Sequence, residues 1–79
     1  MSPEEEKLLI EFGNRLKALR INKNLSQEKF AEITRLDRTY ISGLERGKRN
    51  PSFICLLKLA KCLNSPIADL FPEVVYEEH

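Results

Sequence analysis

Two short runs of helical patterning, joined by only about three residues, constrain this chain more than any other feature. In the first, Ser26 is a good N-cap and Phe30, Ala31 and Ile33 supply a buried side, until Thr34 and Arg35 break the pattern. In the second, Asp37 is the cap, Tyr40, Ile41 and Leu44 face inward, and Gly47 stands where a left-handed residue would end the helix. Helices this short and this closely joined must cross steeply, which is the helix-turn-helix arrangement, here over about residues 26–47.

The flanking segments read as helices too. Leu9, Phe12, Leu16 and Leu19 recur at intervals of three and four and form one stripe of a first helix from about Glu4 to Asn22, with Glu4, Glu5 and Glu6 at the positive end of its dipole. After the basic loop Lys48-Arg49-Asn50-Pro51, Ser52 caps a fourth helix to about Leu63 whose apolar residues wrap more than one face, and Asn64 ends it. Ser65 and Pro66 suit the start of a short fifth helix, Ile67 to Phe71, stopped by Pro72. The expected architecture is all-α, five helices in a single domain over residues 1–79, with Glu73 to His79 a frayed tail that has only Val74, Val75 and Tyr76 to dock with. Gly13 and Gly43 lie inside expected helices, where a missing side chain lets another backbone, or a nucleic acid, come close.

A chain of 79 residues affords one modest core and commonly gains stability from a disulfide, a metal or a second subunit. Cys55 and Cys62 are seven apart on one expected helix, about 10 Å along its axis, whereas a disulfide needs Cα atoms within about 7 Å. They read as small core hydrophobes in a reducing cytosol. No ligand pair has metal-binding spacing, and His79 is the one histidine, so neither metal nor cofactor is expected. The acidic start is unlike a secretory signal and no apolar run approaches a membrane span, so the expected location is cytoplasmic, with no membrane partner. An enzyme is disfavoured: there is no histidine beside a nucleophile, no carboxylate cluster and no glycine-rich phosphate loop, and no small-molecule ligand is expected.

Charge is segregated along the sequence. From Arg15 to Arg49 there are ten Lys or Arg against four acids, while both ends are net acidic. A polyanion would be drawn to the middle. In a helix-turn-helix the second helix enters the major groove with its N-terminal residues at the base edges. Here Arg38 can offer a bidentate fork to guanine, Thr39 can bond a base or touch a thymine methyl, and Ser42 lies one turn further on the same face. Gln27, at the start of the preceding helix, can hold a phosphate with its amide and the helix N-terminus. Arg46, Lys48, Arg49 and Asn50 are placed against the phosphate backbone; Tyr40 is either core packing alone or packing plus a phosphate contact, and Arg35 a solvated turn residue.

Phe12-Gly13-Asn14-Arg15-Leu16, Leu19-Arg20, Leu25-Ser26-Gln27, Phe30-Ala31, Ile41-Ser42-Gly43-Leu44-Glu45-Arg46-Gly47 and Pro51-Ser52 together resemble the lambda-repressor-like (XRE-type) helix-turn-helix family over about three quarters of the chain. Within it, the run from Asp37 to Pro51 is similar to controller proteins of restriction-modification systems. That resemblance implies a transcription regulator that binds operator DNA as a dimer and activates and later represses its own gene with that of the endonuclease. It also implies a largely buried ion pair between Arg20 and Glu45, fixing the recognition helix to its scaffold. A contact with RNA polymerase stays open. The alternatives are a phage or plasmid repressor, or an antitoxin or adaptor that uses the fold to bind protein.

One helix-turn-helix reads too few base pairs to select a site alone, so a two-fold homodimer is expected on double-stranded operator DNA. The C-terminal region, about 52–75, supplies the expected surface, with Ile54, Leu57, Ile67, Leu70 and Phe71 as the shared patch.

Overall fold

The computed structural model describes residues 1–73, and each helix in it begins where a side chain can satisfy the first free backbone N–H groups. Helix α1 (Pro3–Asn22) starts with a reciprocal capping box: Glu5 N donates to Ser2 Oγ at 3.1 Å and Ser2 N donates to Glu5 Oε1 at 2.9 Å. The bond from Ser2 N, and after it the Ser2 hydroxyl, hold the Glu5 carboxyl below its usual range. Helix α2 (Gln27–Thr34) is capped by Ser26, α3 (Arg38–Glu45) by Asp37 and α4 (Phe53–Leu63) by Ser52. Left-handed residues close the turns, Asn24 after α1, Arg35 after α2, Gly47 after α3 and Asn64 after α4.

Ile67–Leu70 is a single 3-10 turn, where a fifth helix was expected from Ile67 to Phe71. Ser65 does not cap it; its hydroxyl donates backward to Leu63 O at 3.3 Å. Pro72 biases Phe71 away from helix, and Phe71 is extended at φ −90° and ψ 129°. The described residues therefore form four α-helices and one 3-10 turn, without a strand. The expectations for residues 74–79, including Val74, Val75 and Tyr76, lie outside the described residues.

The core draws on every element: Phe12 and Leu16 of α1, Phe30 and Ala31 of α2, Ile41 and Leu44 of α3, Leu59, Ala60 and Leu63 of α4, and Leu70. Leu70 is 0% exposed, because the 3-10 turn packs back against α1 and α4. This corrects its assignment to a shared surface: one copy of the chain already buries it completely. A second correction concerns α2, whose inner stripe is Phe30, Ala31 and Thr34, leaving Ile33 43% exposed. Thr34 tolerates the interior because its hydroxyl donates to Phe30 O at 2.8 Å.

Candidate nucleic-acid interface

The connection from α2 to α3 is Arg35, Leu36 and Asp37. Arg35 takes the left-handed conformation, Leu36 N returns a hydrogen bond to Ala31 O at 3.2 Å, and Leu36 packs against the core. Asp37 Oδ1 then accepts from Thr39 N at 2.7 Å and from the Thr39 hydroxyl at 2.5 Å. Both bonds favour the ionised carboxylate and hold it below its usual range. The turn thus projects the first residues of α3 outward: Asp37, Arg38 and Thr39 are exposed, while Ile41, Gly43, Leu44 and Glu45 are buried on the opposite side.

What lies behind α3 fixes it in place. At Gly13 the backbones of α1 and α3 meet: a Cβ there would lie 2.5 Å from Leu44 O and 2.6 Å from Glu45 O. Further along α1, Arg20 Nε donates to Glu45 Oε2 at 2.7 Å, Nη2 to Glu45 Oε1 at 3.0 Å, and Nη1 to Leu25 O at 2.7 Å. Glu45 Oε1 also accepts from Gln27 Nε2 at 3.1 Å. The structure thus brings Arg20 and Glu45 together as a bidentate pair with side chains only 9% and 3% exposed, and the bond to Glu45 raises the Arg20 pKa. Among the described residues no buried side-chain nitrogen or oxygen lacks a partner, so each nitrogen and oxygen of the enclosed pair has at least one hydrogen bond. The link from Gln27 to Glu45 had no signal in spacing or composition.

The face turned away from this scaffold is cationic. Arg38, Arg46, Lys48 and Arg49 are exposed, and the ion pairs among the described residues, Arg20 with Glu45 and Lys29 with Glu32, involve none of them. Arg46 Nε donates to Ser42 O at 3.3 Å, and Asn50 is exposed in the loop that follows. Ser42 is half-buried. Gly43 is buried beneath Arg49, so the bare backbone expected there to meet a ligand is already covered by this chain.

Tyr40 is half-buried between that face and α4. Burial raises its phenol pKa, as do the charge and hydrogen bond of Cys55, while the charge of Arg49 pulls it back. The Cys55 thiol is raised as well, first by burial, while its hydrogen bond with Tyr40 and the charge of Lys58 pull it back. Cys62 Sγ meets Ile33 O at 3.7 Å, and both cysteines are free.

The residues expected to form one shared apolar patch are divided. Ile54 and Leu57, 68% and 41% exposed, line a shallow depression with Ile33 and Cys62. Phe71, 44% exposed, lines a separate groove with Leu8, Phe12 and Leu56, and Ile67 packs partly into the core. Phe53, 66% exposed, is an apolar surface residue that the sequence reading placed in the wrap of the fourth helix without singling it out. No helix among the described residues is long and apolar enough to cross a membrane, and none of their His, Cys, Asp and Glu side chains gather in threes to hold a metal ion.

Residues 16–70 match the family model described as helix-turn-helix, HTH_3. The chain is 48% identical over 69 residues to the control protein C.MunI of a Mycoplasma species, covering 86% of this chain and 93% of that protein. It is 45% identical over 60 residues to the control protein C.BamHI of Bacillus amyloliquefaciens, covering 75% of this chain and 74% of that one. The fold superposes on the crystal structure of the restriction-modification controller protein C.AhdI from Aeromonas hydrophila with a TM-score of 0.77 and 49% identity, covering 80% of this chain and 96% of that one.

Proposed function

Because this chain belongs to the helix-turn-helix family, among the restriction-modification controller proteins that regulate transcription, we propose that α3 is its recognition helix and that two copies bind operator DNA together. The observation that carries this reading is the two-sided character of α3: its inner face is bolted to α1 through Gly13 and Glu45, while Arg38 and Thr39 stand exposed at its N-terminus. A helix held this way enters a major groove without rearranging, and its first residues reach the base edges.

In this assignment Arg38 reads a guanine through its planar fork, and Thr39 and Ser42 contact neighbouring bases. Arg46, Lys48, Arg49 and Asn50 hold phosphates from the far end of α3, and the Tyr40 hydroxyl and the N-terminus of α2 with Gln27 hold them from the near side. Because Gln27 already gives an amide proton to Glu45, it presents to phosphate its second amide proton and its backbone N–H. The apolar patch of Ile54 and Leu57, with exposed Phe53 next to it in sequence, is the surface through which two copies join. The protein works in the cytoplasm, where its DNA lies, as a binding protein without catalysis. RNA polymerase is the further partner an activating role requires, and no cofactor or small-molecule effector enters the reading.

The test is Arg38→Ala, measured on a duplex that the wild-type protein selects from a random pool and on random duplex. Affinity for the selected duplex should fall by about 1–3 kcal/mol, with a much smaller loss on random DNA. Equal losses on both would reduce Arg38 to a phosphate contact.

A further inference from the structure

Gly43 lies four residues beyond Thr39, on the same stripe of α3, and yet it is buried. The stem of Arg49 covers it. A Cβ built on Gly43 would lie 2.9 Å from Arg49 Cγ, 3.5 Å from Nε and 3.7 Å from Cδ. The chain reaches this position through a tight reversal: Gly47 is left-handed at φ +72°, and Lys48 N donates to Gly43 O at 2.8 Å. Arg49 is thereby laid back across the helix it has just left, close enough to Tyr40 for its charge to act on the phenol.

We propose that Gly43 is a notch that positions Arg49, so that its guanidinium meets DNA as a fixed part of the recognition surface. The proposal rests on the DNA-binding reading above and assigns a positioning role to a residue that itself makes no contact with nucleic acid. A long cation on a loop loses rotamer freedom when it binds. With its stem already seated in a groove one glycine wide, Arg49 has lost part of that freedom beforehand. The competing account is that Gly43 is bare so that DNA can approach the α3 backbone. The two accounts differ in whether the effect of a methyl group at position 43 passes through Arg49.

The experiment is a double-mutant cycle of Gly43→Ala and Arg49→Ala in the full chain, read by affinity for the selected duplex. Both variants should fold, since alanine favours helix over glycine and the atom displaced at position 43 belongs to a flexible side chain. Gly43→Ala should weaken binding roughly tenfold when Arg49 is present, comparable with losing a charged contact, and less than about twofold in the Arg49→Ala background. In the free protein, 15N relaxation should find the Arg49 Nε–H ordered in wild type and mobile in Gly43→Ala. Equal losses in both backgrounds would overturn the proposal in favour of direct DNA approach, and so would an Nε–H equally mobile in both proteins. If the wild-type chain selects no duplex at all, the DNA reading fails and takes the positioning role with it, while the relaxation data still report separately on the notch.

Discussion

Replacing Glu45 with alanine removes a carboxylate that accepts from Arg20 Nε at 2.7 Å, from Arg20 Nη2 at 3.0 Å and from Gln27 Nε2 at 3.1 Å. What stays behind is a guanidinium on a side chain 9% exposed, with Leu25 O as its remaining acceptor. Breaking a buried pair from one side costs about 3–5 kcal/mol, because the stranded charge has neither water nor a counterion. An exposed pair would cost about 0–1 kcal/mol. A chain of 79 residues has roughly 4–12 kcal/mol of stability in all, so Glu45→Ala should lose a large share of it and melt at least about 12 °C lower. Urea unfolding followed by circular dichroism, at one fixed protein concentration, measures this directly. Arg20→Met combined with Glu45→Leu should recover most of the loss, since an apolar pair of similar volume has no charge to desolvate. A Glu45→Ala loss under about 1 kcal/mol, or a double variant weaker than Glu45→Ala alone, would refute the claim that burial makes this pair critical.

Three other outcomes follow from the same geometry. Gly13→Ala should destabilise by about 1–3 kcal/mol in thermal unfolding, although alanine ordinarily favours a helix, because the new methyl meets the Leu44 and Glu45 carbonyls and backbone cannot step aside. Leu57→Glu, at a position 41% exposed, should leave the helical spectrum intact, shift sedimentation from dimer to monomer and lower operator affinity by orders of magnitude; an unchanged dimer would move the interface elsewhere. The depressed Asp37 carboxyl links folding to acid: its contribution is complete above the unfolded value near about 4 and is lost as pH falls through the lower folded value. A melting-temperature profile that declines across that window in wild type should therefore be flatter in Asp37→Asn.

Helix boundaries were the most legible part of the sequence, because they follow from local rules. Ser26, Asp37 and Ser52 cap helices, and Gly47 and Asn64 end them, where side-chain chemistry alone places them. The choice between neighbouring residues was less legible. Whether Ile33 or Thr34 faces inward depends on the rotation of an eight-residue helix, which α4 and α3 decide from across the core. Leu70 reads equally well as a surface or a core leucine, and the answer lies in how far a 3-10 turn folds back. The glycines were visible as exceptions, but their neighbours were not: Gly13 admits the α3 backbone, and Gly43 admits the Arg49 stem. Arg38 and the loop cations stood out through charge and position, whereas the bond from Gln27 to Glu45 joins residues 18 apart and arises only on folding.

If α3 is the recognition helix, as proposed, the bond from the Thr39 hydroxyl to Asp37 limits what Thr39 can offer a base. The hydroxyl has one proton, and the carboxylate holds it. Toward a base, Thr39 keeps only oxygen lone pairs and a methyl group. The lone pairs suit the exocyclic amine of cytosine or adenine, and the methyl suits that of thymine, whereas guanine offers acceptors alone on its major-groove edge. Arg38, its neighbour, has the opposite repertoire, five donors and no acceptor. Under that assignment two adjacent side chains would speak for complementary halves of the base code, and the cap that starts the helix would also make the second of them a listener for amines and methyls.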